Sequence, residues 1–123
     1  DFDVFAYWPE KNLLVTVECK YNQPPHTIKD SRRLRDRIFG RSESDKSGQI
    51  SKIVRRTGFI ESHCSRLLEL LKWQKTSECK IEHIELYVGR DLNYWIVLPP
   101  YPVKTKFVTV DTLESWLKIE LSK

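Results

Sequence analysis

The sequence predicts an α/β domain in which a mixed β-sheet is flanked by helices, and three observations carry that expectation. β-Branched apolar runs fill the first and last thirds of the chain, helical periodicity fills the middle, and a further helical pattern closes the C-terminus. That order of strands, helices, strands and a last helix suits a mixed sheet covered by helices. The 123 residues suffice for one domain that buries a single core without disulfide staples.

The first strand is expected over Phe2 to Trp8 and the second over Leu13 to Lys20, joined by the turn-forming residues Pro9-Glu10-Lys11-Asn12. If those four residues are the whole loop, Trp8 faces Leu13, and counting back sets Asp3 opposite Glu18. Opposed side chains share a face with Cβ atoms about 4.5–5.5 Å apart. A loop one residue longer or shorter would send Asp3 to the other face. Along the second strand, Glu18 and Lys20 share a face about 6.6 Å apart.

Pro24 and Pro25 stop the second strand, because proline has no N–H to give a ladder. Thr27 with Asp30 three residues on resembles a capping box that opens a helix through Phe39, closed by Gly40. Arg41 to Gly48 is polar and reads as a mobile loop. From Ile50 to Leu71 apolar residues recur at steps of three and four as one long helical stripe, in which Gly58 marks a kink or break. Ile81 to Val88, Tyr94 to Leu98 and Lys106 to Val110 are strand candidates, the second stopped by Pro99 and Pro100. Asp111 with Glu114 resembles another capping box, opening a helix that carries Leu113, Trp116, Leu117 and Leu121.

The chemistry that uses two carboxylates and a lysine on one face is metal-assisted phosphodiester hydrolysis. Asp3 and Glu18 are the candidate metal ligands, close enough to share one cation with metal–oxygen bonds of about 2.1 Å. Mg²⁺ held there polarises a phosphoryl oxygen and lowers the pKa of a bound water, and Lys20 is placed to orient that water or hold the scissile phosphate. The alternative is an ordinary cross-strand ion pair, Lys20 with Glu18 or Asp1.

Asp1-Phe2-Asp3-Val4-Phe5-Ala6, a turn, and Leu14-Val15-Thr16-Val17-Glu18-Cys19-Lys20 resemble the core signature of the PD-(D/E)XK nuclease superfamily. The resemblance is specific over about the first twenty residues and implies a restriction-endonuclease-like fold with a Mg²⁺-dependent active site, Mn²⁺ as a substitute, Asp3 and Glu18 as acids and Lys20 as the catalytic lysine. It also implies that a Gln or Lys on a later helix faces the site, which Gln49 or Lys52 could supply. Many members carry one more acid on a helix before the first strand. This chain begins too late to contain it, which points to a domain, 1–123, lacking an upstream helix of a longer protein, or to an incomplete site. A second triplet, Glu78-Cys79-Lys80, has no hairpin partner bearing an Asp and reads as a coincidence.

Charge is unevenly placed. From Lys29 to Arg56 ten Lys or Arg stand against four Asp or Glu, so the rest of the chain is net acidic although the whole carries +4. Lys29, Arg33 and Arg37 fall at i, i+4 spacing on one helical stripe, with Arg32 beside them. A DNA backbone is the partner such a field would meet, and a solvated helix face is the plainer alternative. The tryptophans and tyrosines include candidate base-stacking residues, though most alternate with core positions. No apolar stretch approaches the roughly 20 residues of a membrane span. Cys19, Cys64 and Cys79 form no Cys-x-x-Cys pair, and an odd count argues against a disulfide framework, so reduced thiols in a cytoplasmic protein are expected. The expected function is a metal-dependent endonuclease domain acting on DNA. The alternatives are a catalytically inactive nucleic-acid-binding or scaffold domain of the same fold, and an RNA-processing nuclease. A homodimer and a larger multidomain parent chain are both compatible with the sequence.

Overall fold

Alternation along Leu13–Lys20 sends two different sets of side chains to the two sides of a sheet, and the domain is layered around that difference. The computed structural model describes residues 2–73 and 81–123. Strand β1 (Val4–Trp8) leads through a 3₁₀ turn (Pro9–Lys11) into β2 (Leu13–Lys20). Helices α1 (Ile28–Phe39) and α2 (Gln49–Leu70) follow, then β3 (Glu82–Gly89), a short helix α3 (Tyr94–Val97), β4 (Lys106–Thr109) and α4 (Leu113–Ser122). Within the described residues the strands form one sheet in the order β1-β2-β3-β4. β1 and β2 are antiparallel, while β2–β3 and β3–β4 are parallel, so the expected mixed sheet flanked by helices is what the chain forms. None of its described helices is long and apolar enough to cross a membrane.

The hairpin closes as its loop length requires. Trp8 pairs with Leu13 and the register runs to Val4 opposite Val17. Asn12 adopts the left-handed conformation, φ 49° and ψ 39°, that ends the turn, and its side-chain oxygen accepts from the Tyr7 hydroxyl at 2.9 Å. One face of the sheet then carries Leu13, Val15 and Val17 with Leu86, Val88 and Val108, against which Trp8, Leu113, Trp116 and Leu121 pack. The other face meets α1 and α2 through Leu34, Ile38, Phe39, Ile50, Ile53 and Tyr87, with Trp95, Tyr101 and Phe107 around them.

Helix α1 begins and ends where its caps dictate. Thr27 Oγ1 accepts from the Asp30 N–H at 3.1 Å, and Gly40, at φ 76°, closes the helix with its N–H on the Asp36 carbonyl. The Arg41–Gly48 loop, expected to be mobile, is instead tied down by Asp45. Its carboxylate accepts from the N–H groups of Arg41 and Ser47, both at 2.9 Å, and these bonds hold its pKa down at about 2. Gly48 packs so closely that a Cβ there would lie 2.5 Å from the Gly40 nitrogen.

Three sequence expectations are corrected. The long helix does not break at Gly58; the residue with non-helical dihedrals is His63, φ −121° and ψ 15°. The apolar run Tyr94–Leu98 forms α3 and its C-cap rather than a strand. Asn93 causes this, because its side-chain oxygen accepts from the N–H groups of Trp95 and Ile96 at 3.0 and 3.2 Å. Helix α4 is capped at Thr112, not Asp111, and its cap makes no side-chain bond to the helix. The second Glu-x-Lys triplet, Glu78-Cys79-Lys80, lies outside the described residues.

Candidate active site and nucleic-acid cleft

Strand alternation puts Glu18 and Lys20 on the α1/α2 face, at the end of β2 from which the chain departs toward α1. Glu18 is only 6% exposed. A carboxylate that deep is stable only with partners, and it has two cations. Lys20 Nζ lies 2.5 Å from Oε1 and Arg56 Nη2 lies 2.8 Å from Oε2. The Arg56 guanidinium also stands 5.1 Å from the Phe2 ring centre.

A cleft of about 670 Å³ opens over this group. Its walls carry the cations Lys20, Arg37, Lys52, Arg55 and Arg56 against the carboxylates Glu18 and Asp36, with Ser47 and Gln49 between them. Five positive charges against two negative make the opening attractive to an anion. Gln49 is fixed in place: the Tyr87 hydroxyl donates to its Oε1 at 2.7 Å while Asn22 Nδ2 donates to that hydroxyl, also at 2.7 Å. Burial pushes the Tyr87 pKa up to about 12, so its hydroxyl keeps the proton it donates.

Asp3 arrives differently from the expected ladder position. Strand pairing stops at Val4 opposite Val17; the Asp3 N–H then bonds the Val17 carbonyl at 3.2 Å, and its Oδ2 accepts from the Cys19 N–H at 2.7 Å. The carboxylate thus substitutes for a strand carbonyl at the end of β2. Burial, followed by the negative charges of Asp3 and Glu18, raises the Cys19 pKa.

Of the residues singled out in the sequence, Glu18, Lys20, Arg37, Gln49 and Lys52 line the one cleft. Asp3 reaches the backbone next to Glu18, and Lys29, Arg32 and Arg33 lie exposed on α1 outside the lining. Sequence reasoning missed Arg56. Its spacing was informative, since Gln49, Lys52 and Arg56 stand at i, i+3 and i+7 on one face of α2. Trp8 and Trp116 pack beneath the sheet, and Trp73 stacks on Phe5 and Tyr7, so these candidate stacking residues are structural.

Behind the cleft the same sheet face stays polar. Thr16 Oγ1 lies 2.9 Å from His83 Nε2, and Thr105 donates to Glu85 Oε1 at 2.5 Å. Burial lowers the His83 pKa and raises that of Glu85.

Asp3 and Glu18 bring carboxylate oxygens, the donor type that Mg²⁺ takes, to the end of β2. Asp3 commits Oδ2 to a backbone N–H, and the two cations on Glu18 occupy the place where a metal's charge would otherwise balance the carboxylate. Among the described residues no group of three or more His, Cys, Asp and Glu could hold a metal. Compared with known proteins, the chain matches no family model, no curated protein and no solved structure.

Proposed function

We propose that the chain is a divalent-metal-dependent endonuclease domain of the PD-(D/E)XK type that hydrolyses DNA phosphodiester bonds. The observation that carries this reading is a buried carboxylate, Glu18, set under five cations in one cleft and paired with Lys20 two residues along its own strand. Asp3 and Glu18 would hold Mg²⁺ or Mn²⁺, which when bound would activate a water and neutralise charge on the phosphoryl group. Lys20 and Arg56 hold the Glu18 carboxylate in position. Lys20, on the same face of β2 as Glu18, would orient the attacking water or grip the scissile phosphate. Arg37, Lys52 and Arg55 receive the flanking phosphates, and Gln49, locked by Tyr87 and Asn22, presents a fixed amide to the strand.

Incubation with plasmid and with labelled oligonucleotides, in Mg²⁺, Mn²⁺ or EDTA, tests the proposal. Cleavage should need the metal and fall by about 10²-fold or more in Glu18→Ala and in Lys20→Ala. Cleavage that survives both substitutions rejects the assignment.

One observation favours a second reading, a nucleic-acid-binding or scaffold domain without turnover. Both Glu18 oxygens already hold cations and Asp3 already holds a backbone N–H, so the site is neutralised without a metal. Mn²⁺ titration separates the two. A working metal site should raise the melting temperature, by the equivalent of about 2.7 kcal/mol at a hundredfold excess over Kd, and Glu18→Gln should abolish the rise. The scaffold reading expects no rise in either protein.

A further inference from the structure

Helix α2 carries the cleft's charge outward along one face. Steps of three and four residues lead from Lys52 and Arg56 to Phe59 and His63, so the four lie in one row. Phe59 is 60% exposed, and its ring stacks on the exposed His63 ring with centres 4.4 Å apart and planes 25° from parallel. His63 departs from helical dihedrals at this point, and its Nδ1 lies 2.9 Å from the Phe59 carbonyl oxygen. The pair is therefore held face to face and does not consist of two independent surface side chains. Single exposed apolar residues need no explanation. Two rings stacked about 10 Å along a helix from phosphate-binding cations, at 1.5 Å per residue from Lys52 to Phe59, combine a π-face with positive charge, which is how single strands are gripped.

We propose that Phe59 and His63 form a stacking platform for an unpaired base of a single-stranded nucleic acid, DNA or RNA, whose neighbouring phosphates run into the cleft at Lys52 and Arg55. Duplex bases keep their faces stacked on one another, so only an unpaired segment can use the platform. The inference rests on the reading of the cleft as a phosphate site, and it adds that the substrate is single-stranded beside the point of attack.

Fluorescence anisotropy in EDTA tests it without cleavage, using the full chain and labelled single-stranded DNA, the same strand as RNA, a DNA strand of abasic sites, and a duplex. Phe59→Ala and His63→Ala should each weaken binding of at least one single-stranded series about tenfold, while leaving the abasic strand and the duplex unchanged. Phe59→Trp should restore it. Both positions are exposed, and an unchanged melting temperature excludes a folding defect. Equal weakening of duplex and abasic strands, or no weakening of any strand, overturns the platform. The cleavage assay with Glu18→Ala and Lys20→Ala does not depend on this result, so loss of one reading leaves the other standing to be judged by its own measurement.

Discussion

At Glu85 the fold buries a carboxyl with half of its hydrogen-bonding capacity unused. The residue is 9% exposed, Oε1 accepts from Thr105, and Oε2 has no hydrogen-bond partner among the described residues. Burial, as the largest cause, raises its pKa above the usual 4.5. A raised folded-state pKa means that the native protein holds this proton more tightly than the unfolded chain. The favourable contribution is complete below pH 4.5 and is lost as pH rises through the folded value, after which the ionised carboxyl is a cost. Glu85→Gln should therefore raise the melting temperature at pH 8 and make little difference at pH 4, with Thr105 still donating to the amide oxygen. Buried His83, whose pKa is lowered, contributes in the opposite sense, with stability lost as pH falls below 6.5. It does so in both proteins, so the difference between them isolates Glu85. Calorimetry at the two pH values decides the matter, and no gain at pH 8 would overturn the claim that the ionised carboxyl is a cost.

Among the elements, α2 offers the clearest test of a local cost. Gly58 sits inside the helix, exposed, and a Cβ added there would meet nothing among the described residues within 4 Å. Gly58→Ala should stabilise the protein by about 0.5–1 kcal/mol, read as a rise of about 2–5 °C in Tm. A loss of stability would show that the helix needs a flexible joint at this point. The sequence marked Gly58 as the break because glycine is the usual suspect, whereas the break falls at His63, where a ring bonds the preceding turn and stacks on Phe59. Other boundaries were legible because one residue type decides each. Thr27 caps α1, Gly40 ends it, and a four-residue loop sets Trp8 against Leu13. α3 was misread as a strand because Tyr94–Leu98 looks like an apolar β-run, and a single Asn93 cap outweighed that pattern. The site was legible as far as strand alternation reaches, which covers Glu18 and Lys20. Arg56 was not, because its partner is 38 positions away in sequence and only the packing of α2 on the sheet brings them together. Asp3 was half legible: the register holds to Val4, and the final residue then gives its side chain to a backbone N–H.

At the scale of the whole molecule, the parallel crossover from β2 through α1 and α2 to β3 carries the basic third of the chain around the end of the sheet where Glu18 lies. That topology divides the cations into two sets. Arg37, Lys52 and Arg55 face into the cleft, while Lys29, Arg32 and Arg33 stand exposed on α1 outside it. If the DNA backbone enters the cleft and continues over α1, both sets neutralise phosphates. Each phosphate deprived of its cation should then flatten the log-affinity against log-salt slope by about 0.9 on duplex, or about 0.7 on a single strand. The triple variant Arg37→Ala, Lys52→Ala, Arg55→Ala should flatten it by nearly three such steps and weaken binding most at low salt. The variant Lys29→Ala, Arg32→Ala, Arg33→Ala should do the same only if the strand follows the helix, so its slope measures how far the footprint extends. Two unchanged slopes would mean that the positive field is balanced by solvent alone and would remove nucleic acid from the account. A change confined to the cleft set would place the phosphates at the mouth over Glu18 and leave α1 as a solvated face.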